Sequence, residues 1–367
     1  MKNEIIINSQ DAVPKKICNL STKANTNELG IDKDDYSNKE NLLFYLKEKT
    51  PSFFDKFELC EYLNSGSAGV VYRGVYKGLI KKQIALKFLI NKKRKEKLEK
   101  LKNKEDQNQE IAISRNLHNK NITEIFAYFK NENVSFSVLE YGKHGDIEYF
   151  LKHLLKRNVL SETASNYFSK QILEGLKYIH RNKIVHMDIK PGNILIDSNL
   201  DCKITDFSIS CSYNIFSPVD CVKFPFCGTA KFMAPEILSK AHMKIKDTEK
   251  IDVYSFGVTL YYLFYGDYPY NLKEVKGKDY DGILNHIKEK KLIFPEERKS
   301  SELFKDFLKK ILEKDYTKRL TIKQCLDHPW IKASQIIFDE KEKINSQENF
   351  LISLITDNFQ KFNEYLK

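Results

Sequence analysis

The chain has 367 residues and a formal net charge of +11, with 61 lysines and arginines against 50 aspartates and glutamates. Its length allows one catalytic domain of two lobes with an extension at each end. The lysines are spread along the chain, so the charge favours a solvated surface, and no nucleic-acid partner is expected.

The cysteines and the apolar segments indicate which cellular compartment to expect for the chain. Seven cysteines without a C-x-x-C pair favour reduced thiols and a cytoplasmic protein. Cys211, Cys221 and Cys227 lie close together in the sequence, but no histidine or second cysteine pair supports a zinc site there. The apolar run at 5–7 is too short for a signal peptide, and no stretch of about 18 apolar residues predicts a transmembrane helix.

The chain changes character near Phe57. Residues 1–56 are rich in Asn, Lys, Ser and Asp, which predicts a largely disordered extension with one candidate helix at 40–49. From Phe57 onwards, segments rich in β-branched and aromatic residues are separated by turns that contain glycine. This pattern predicts strands at 57–63, 70–76 and 84–89.

The turn between the first two predicted strands reads Leu63-Asn64-Ser65-Gly66-Ser67-Ala68-Gly69-Val70-Val71. Glycine has no Cβ, so Gly66 and Gly69 would let backbone N–H groups approach a phosphate closely. Two isolated glycines are also typical of an ordinary hairpin turn, and both interpretations stay open at this point.

The segment after the third predicted strand is strongly basic. Residues 91–105 carry eight basic and three acidic side chains, and Lys92-Lys93-Arg94-Lys95 matches a nuclear address or a docking patch. A charged helical insert is the interpretation that we favour. The residues that follow, 109–117, have the period of a helix, and this helix carries Glu110.

Two further strands are predicted at 125–129 and 134–139, and the remainder of the chain is predicted to be helical. Ser161 is a candidate N-cap for a helix at 162–181, whose apolar residues form one stripe. Near the end of the chain, residues 350–366 have apolar side chains at helical spacing.

A short polar loop, His186-Met187-Asp188-Ile189-Lys190-Pro191-Gly192-Asn193, precedes the apolar Ile194-Leu195-Ile196. A carboxylate, a lysine two residues later and an amide five residues later can gather around one reacting phosphate. In this arrangement Asp188 orients a hydroxyl and Lys190 offsets the charge of the transferred group. Asn193 would hold magnesium together with Asp206.

With Asp206-Phe207-Ser208, Gly228-Thr229 and Ala234-Pro235-Glu236 downstream, the full spacing resembles that of the eukaryotic serine/threonine protein kinases. The resemblance covers residues 57–332 and implies an α+β, bilobal protein-kinase-like fold. The small lobe, 57–141, would hold a five-stranded antiparallel sheet with helix C, and the larger lobe, 142–332, would be mainly α-helical. Residues 333–367 would form a tail with an amphipathic helix.

The same resemblance assigns roles to the candidate site residues. Lys87, held by Glu110, would bind the phosphates of ATP, and the hydroxyl of Thr229 would link Asp188 and Lys190. The implied catalytic residues are Asp188, Lys190, Asn193, Lys87, Glu110 and Thr229, and the implied ligands of Mg²⁺ are Asn193 and Asp206. The implied ATP-binding residues are Leu63, Gly66, Gly69, Val71, Ala85, Lys87, Glu140, Gly142, Asp146 and Leu195.

These assignments imply an ATP-dependent kinase that phosphorylates Ser or Thr hydroxyls of protein substrates. Met187 replaces the family's arginine, and Cys211 and Asp106 stand where further contacts to an activation-loop phosphate arise. Because such a phosphate would lack a cationic pocket, we expect activity without loop phosphorylation.

Two other functions remain open from the sequence. The first is a pseudokinase that acts as a binding scaffold, which the departures from the family pattern suggest. These departures are Met187, Ser208, Ser114 and Asn64. The second is a small-molecule kinase, although such enzymes lack the segment 228–236 that binds a polypeptide.

Within the family, three segments look most like the calmodulin-dependent kinase kinase group: Glu110-Ile111-Ala112-Ile113, 228–236 and 252–265. The last of these segments opens with Asp252 and resembles a buried helix of the family's large lobe. The chain beyond Trp330 lacks a basic amphipathic helix with bulky anchors, so calmodulin binding is not expected. The resemblance also implies a structural ion pair between Arg319 and Glu236.

Overall fold

The computed structural model describes residues 6–7, 38–66, 69–89, 105–130, 135–156, 158–212, 228–239, 247–275, 279–344 and 346–366. The chain divides into a small unit, Met1–His118 with Thr123–Tyr141, and a large unit, Asn119–Ile122 with Gly142–Lys367. None of the helices in the described ranges combines the length and the apolar character that a membrane crossing requires.

An antiparallel sheet forms the small unit. The five predicted strands are present, and a short additional strand pairs with one edge. The strands are β1 Ile6–Ile7, β2 Phe57–Gly66, β3 Gly69–Tyr76, β4 Lys82–Leu89, β5 Ile125–Lys130 and β6 Ser135–Glu140. Their order across the sheet is β1-β5-β6-β4-β3-β2, and every neighbouring pair is antiparallel.

The strand register determines which side chains share each face of this sheet. Val71 lies opposite Lys87, and Tyr72 lies opposite Leu86. Because successive side chains of a strand point to opposite faces, Val71 and Lys87 share one face while Tyr72 and Leu86 share the other. Tyr72 and Leu86 are wholly buried, so the second face is a packed core.

An N-terminal helix belongs to this core. Helix α1 spans Lys39–Lys49, and the Asn38 side chain caps it by accepting a hydrogen bond from the Glu40 N–H at 2.9 Å. Its spacing places Leu42, Tyr45 and Leu46 on one face, and all three are buried in the cluster that contains the second sheet face.

Two more helices complete the small unit. Helix α2, Phe53–Lys56, adds the buried ring of Phe53, which packs edge-on against Phe136 at 5.4 Å between centroids. Helix α3, Glu105–Ser114, carries Glu110. Residues 40–49 are therefore helical as predicted, whereas most of the predicted disorder in 1–56 and the basic segment 91–104 lie outside the described residues.

The large unit is mainly α-helical, as predicted. Its longest helix, α5, spans Glu162–Arg181, and the hydroxyl of Ser161 caps it by accepting a hydrogen bond from the Ala164 N–H at 3.1 Å. A second long helix, α7, spans Lys250–Tyr265 and buries nearly all its side chains. The shorter helices are α4 Ile147–Tyr149, continued by a π-helical turn over Phe150–Leu154, α6 Pro235–Leu238, α8 Tyr280–Glu289, α9 Glu302–Ile311, α10 Ile322–Asp327 and α11 Pro329–Lys332.

Short strand pairs and one buried ion pair fix the loops of the large unit. Strand β7, Ile184–Val185, pairs with β10, Cys211–Ser212, and β8, Ile194–Ile196, pairs with β9, Cys202–Ile204. The predicted ion pair is confirmed, because the Arg319 guanidinium donates to both carboxylate oxygens of Glu236 at 2.6 and 3.0 Å.

The C-terminal tail packs on helix α5. Its helices are α12 Ser334–Lys343, α13 Gln347–Thr356 and α14 Gln360–Tyr365. Asp357 adopts a φ of +56 between the last two helices, so the amphipathic stretch predicted at 350–366 is broken into two. The Lys341 ammonium donates to the Tyr167 hydroxyl of α5 at 2.6 Å, and the Phe350 ring packs edge-on against the Tyr167 ring at 5.2 Å between centroids.

We predict that the N-terminal helix stabilises the small unit. Leu46→Ala removes a side chain that is 0% exposed, so it should lower the free energy of unfolding by about 2–5 kcal/mol. Phe44→Ala changes a 68% exposed side chain on the same helix and should cost no more than about 0.5 kcal/mol. Urea denaturation followed by circular dichroism measures both, and equal effects of the two substitutions would contradict the packing described.

Candidate active site

The polar loop 186–193 connects β7 to β8 in the large unit, and one buried carboxylate fixes its beginning. Asp252, on α7, accepts hydrogen bonds from the backbone N–H groups of His186 and Met187 at 2.8 and 2.9 Å. The His180 ring donates to the same carboxylate at 2.8 Å. Burial raises the pKa of Asp252, but the hydrogen bond and the charge of His180 outweigh it, so this pKa lies below its usual value.

Asp188 lies at the centre of a hydrogen-bond network. Its Oδ2 accepts from the Lys190 ammonium at 2.6 Å and from the Asn193 amide at 2.9 Å. Its Oδ1 accepts from the Thr229 backbone N–H at 3.0 Å. Four of the six predicted catalytic residues are therefore joined in one network within the large unit.

The segment that begins at Gly228 approaches Asp188 closely. Gly228 has a φ of +106, and a Cβ at this position would lie only 3.2 Å from Asp188 Oδ1. The positive φ favours glycine here, and the close approach to Asp188 leaves little room for a side chain. The Thr229 hydroxyl accepts from Lys190 at 2.8 Å, but the link from Thr229 to Asp188 is made by the backbone N–H. The prediction that the hydroxyl makes both links is therefore wrong in this detail.

A backbone hydrogen bond brings the two predicted magnesium ligands, Asn193 and Asp206, close together. The Asn193 amide nitrogen donates to both the carbonyl and the carboxylate of Asp188, which leaves its Oδ1 on the other side of the amide. The Thr205 N–H donates to the Asn193 carbonyl at 3.0 Å, and Asp206 is the next residue. Asp206 has a φ of +69, which turns the chain at this point.

The predicted ion pair of the small unit is present. The Lys87 ammonium lies 2.6 Å from Glu110 Oε1, and the two side chains are only 10% and 15% exposed. Lys87 comes from β4 and Glu110 from α3. Val71 and Ala85 share the sheet face of Lys87, since Val71 pairs with Lys87 and Ala85 lies two residues before it.

The glycine-bearing turn is a hairpin between β2 and β3. Gly66 pairs with Gly69, and Gly69 has a φ of +148. Leu63 is 39% exposed beside this turn. Asn64 is absent from the described residues with positive φ, and its side chain accepts from the Ser65 N–H at 2.7 Å. Asparagine tolerates a positive φ better than most residues, but Asn64 does not use this property.

Three predicted adenine and ribose contacts lie together in the large unit. A Cβ at Gly142 would lie 2.9 Å from Leu195 Cβ, so glycine is needed for this close approach. Asp146 forms an isolated antiparallel bridge with Leu195. The Asp146 carboxylate accepts from the N–H groups of Glu148 and Tyr149, so it caps helix α4. Burial raises the pKa of Asp146 in spite of these hydrogen bonds.

Glu140 is the last residue of β6 in the small unit. Its N–H donates to the Glu124 carbonyl at 2.9 Å, which anchors the end of the strand. Glu140 also lies opposite Ile84 in the sheet.

The residues that depart from the family pattern differ in their exposure, backbone conformation and bonding. Met187 is 6% exposed and adopts a φ of +71. Ser208 follows Phe207 without a positive φ, so a residue with a side chain fits there. Cys211 is disulfide-bonded, which contradicts the expectation that all the cysteines are reduced, and its partner lies outside the described residues. The side chain of Asp106 also lies outside the described set.

Asp252 is a site residue that the sequence did not predict, because its contact is with backbone groups of the catalytic loop. A usable signal was present, because Asp252 is a carboxylate in an otherwise largely apolar helix. A buried carboxylate needs hydrogen-bond donors, and the helix itself offers it few. Thr205, which joins Asn193 to Asp206, carries no comparable signal because its backbone makes the contact.

Comparisons with known proteins agree with this geometry. A family model described as protein kinase domain matches residues 57–331. An Aurora kinase of Eremothecium gossypii is 30% identical over 281 residues, which cover 76% of this chain and 70% of that protein. Death-associated protein kinase 2 of Homo sapiens is 32% identical over 317 residues, which cover 83% of this chain and 79% of that protein.

An Aurora kinase of Dictyostelium discoideum is also 30% identical, over 76% of this chain and 66% of that protein. The resemblance to the calmodulin-dependent kinase kinase group stays a prediction. The family match and the relatives together show that the chain belongs to the eukaryotic serine/threonine protein kinases and is an ATP-dependent enzyme of that family.

Proposed function

We propose that this kinase transfers the γ-phosphate of ATP to Ser or Thr hydroxyls of proteins without first being phosphorylated on its activation loop. The observation that carries the proposal is the Asp188 network, in which Lys190, Asn193 and Thr229 already hold the carboxylate. Positioning and charge stabilisation supply most of the rate in phosphoryl transfer, so a prearranged network is what the reaction needs.

Asp188 is suited to receive the proton of the attacking hydroxyl. An ionised carboxylate offers about four acceptor positions, and the network occupies two on Oδ2 and one on Oδ1. The remaining position on Oδ1 can accept a hydrogen bond from a substrate hydroxyl and orient its oxygen. Lys190 lies beside the same carboxylate and can offset negative charge on the transferred group.

The residues of the large unit fit a magnesium ion. Mg²⁺ prefers oxygen ligands and commonly takes only one or two of them from the protein. Asn193 and Asp206 supply an amide oxygen and a carboxylate, and the Thr205 hydrogen bond keeps the two residues close. When bound, the ion neutralises charge on the phosphates of ATP.

The small unit supplies a cation for the nucleotide. Lys87 is nearly buried, and Glu110 holds its ammonium, so the amine is positioned before ATP arrives. We infer that Lys87 binds the α- and β-phosphates and that Val71 and Ala85, on the same sheet face, contact adenine. The same proposal includes the other nucleotide contacts that the family resemblance implies. These residues are Leu63, Gly66, Gly69, Glu140, Gly142, Asp146 and Leu195.

Two observations support activity without a loop phosphate. Met187, at the position of the family's arginine, is a buried apolar side chain and offers no positive charge to a phosphate. The loop instead depends on its backbone, because the N–H groups of His186 and Met187 are held by Asp252. A phosphate is therefore not needed to fix this part of the loop.

Asp188→Asn should lower the rate of phosphate transfer by roughly 10²–10⁴, since an asparagine cannot receive the hydroxyl proton. Asp327→Asn makes the same chemical change at a 60% exposed side chain and should leave the rate unchanged. Incorporation of radiolabelled phosphate from Mg-ATP into a protein substrate measures both. Equal incorporation by wild type and Asp188→Asn would favour the binding-scaffold alternative, and turnover of choline or an amino sugar alone would favour a small-molecule kinase.

Treatment with a protein phosphatase should leave the kinase active, because the protein offers no arginine at Met187 for a loop phosphate to engage. Mass spectrometry of the treated protein confirms that segment 213–227 carries no phosphate. A peptide-phosphorylation assay then compares the kinase activity before and after phosphatase treatment. Loss of activity that returns on incubation with Mg-ATP would refute this part of the proposal.

A further inference from the structure

The loop between β3 and β4 exposes two aliphatic side chains at its tip. Leu79 is 101% exposed and Ile80 is 77% exposed, and they are adjacent in a short loop at 77–81. Turn positions usually hold glycine, asparagine, aspartate or serine. Single exposed aliphatic residues are common on protein surfaces, but an adjacent pair at the tip of a hairpin presents a continuous apolar surface to its surroundings.

The base of this hairpin is fixed. Tyr76 and Lys82 face each other across the last pair of the β3–β4 register. The Lys77 N–H donates to the Lys56 carbonyl at 2.8 Å, and the Lys77 ammonium donates to the Phe54 carbonyl at 3.1 Å. A Cβ at Gly78 would collide with the Tyr76 ring, so the loop lies against that ring. The apolar tip therefore extends from a rigid support.

Lysines surround the tip. Lys77, Lys81 and Lys82 belong to the hairpin, and Lys56 is joined to it by the Lys77 hydrogen bond. The Lys82 ammonium lies 4.0 Å from the centroid of the Phe126 ring, and the Lys77 ammonium is held by the Phe54 carbonyl. In the part of the chain that the structure describes, none of these four lysines forms an ion pair with a carboxylate. The acids on the adjoining segments are Asp55 and Glu58, next to Lys56, and Glu140, which lies opposite Ile84 at the start of β4. The four lysines outnumber these three acids, so the surroundings of the tip carry a net positive charge.

We propose that this hairpin tip docks the kinase reversibly on an anionic lipid bilayer. Leu79 and Ile80 would enter the boundary between the headgroups and the acyl chains, and the lysines around them would contact anionic headgroups. Peripheral membrane binding generally needs two weak signals, and a small apolar insertion combined with a basic surface provides both. The proposal concerns location only and does not depend on the proposed mechanism of phosphate transfer.

The shape of the surface favours a bilayer over a protein partner. A stable protein interface buries about 800 Å² on each partner, and two side chains at a convex tip are too few to form its centre. A bilayer requires no such area, because its headgroup region adapts to a small protruding group. The single sign of charge at the four lysines complements a surface of anionic lipids.

Sedimentation with vesicles tests the proposal. We expect the full chain to bind vesicles of phosphatidylcholine mixed with phosphatidylserine, to bind phosphatidylcholine vesicles much less, and to dissociate at high ionic strength. The double variant Leu79→Ser, Ile80→Ser should lower the partition coefficient at least about tenfold. Ile293→Ser, at a 50% exposed aliphatic residue of the large unit, should leave it unchanged.

A charge test separates local lysines from the overall charge of the chain. Lys81→Glu should weaken binding at least about fivefold, because it removes one positive charge and adds a negative one near the headgroups. Lys291→Glu makes the same change at an exposed residue of the large unit and should have a smaller effect. Thermal unfolding of each variant confirms that it is folded.

Insertion of the tip can be observed directly with Ile80→Trp. The natural tryptophan, Trp330, is 0% exposed, so quenching by brominated acyl chains reports on the new side chain. Quenching is expected only with anionic vesicles. Three results would overturn the proposal: no vesicle binding by the wild type, undiminished binding by the Leu79→Ser, Ile80→Ser variant, or an unquenched tryptophan in vesicle-bound protein.

Discussion

The catalytic loop depends on the carboxylate of Asp252, which is wholly buried on α7. A buried charge is costly unless it is fully hydrogen-bonded, and Asp252 meets this requirement with two backbone N–H groups of the loop and the ring of His180. The carboxylate and the catalytic loop therefore depend on each other. The carboxylate needs these donors, and the loop needs the carboxylate because Met187 adopts a φ of +71 that a non-glycine residue adopts only under constraint.

The pKa of Asp252 adds a dependence on pH to this interaction. Its folded-state pKa is lower than the ordinary value, so the contribution of Asp252 to stability is present above the pKa of the unfolded chain. The contribution is lost as the pH falls through the folded-state pKa. At neutral pH the carboxylate is ionised, and it holds the residues immediately before Asp188 while Lys190, Asn193 and Thr229 hold Asp188 itself.

The sequence predicted the parts of the fold and of the site that depend on the spacing of residues close together in the chain. Asp188, Lys190 and Asn193 belong to one short loop, and the structure joins their side chains by hydrogen bonds. The strands and helix α5 follow from alternation and capping. Helix α1 was only a candidate, because its apolar residues 42–46 are consecutive and give no helical period. Only the packing against the sheet shows why Leu42, Tyr45 and Leu46 are the buried ones.

Contacts between distant segments could not be predicted in the same way. The link from Asp252 to Met187 joins residues 65 apart through a backbone N–H, which any residue type would provide. The link from Thr229 to Asp188 is likewise made by a backbone group. The break at Asp357 and the disulfide at Cys211 depend on tertiary structure rather than on local composition.

Steady-state kinetics of Asp252→Asn test the central claim most directly. Asparagine has nearly the same shape but turns one acceptor into a donor that faces the backbone N–H groups, which should displace the loop before Asp188. We expect kcat to fall roughly a hundredfold, because a small displacement of a catalytic group can cost that much, while the KM for ATP changes little. A folded Asp252→Asn enzyme with the kcat of the wild type would contradict the account.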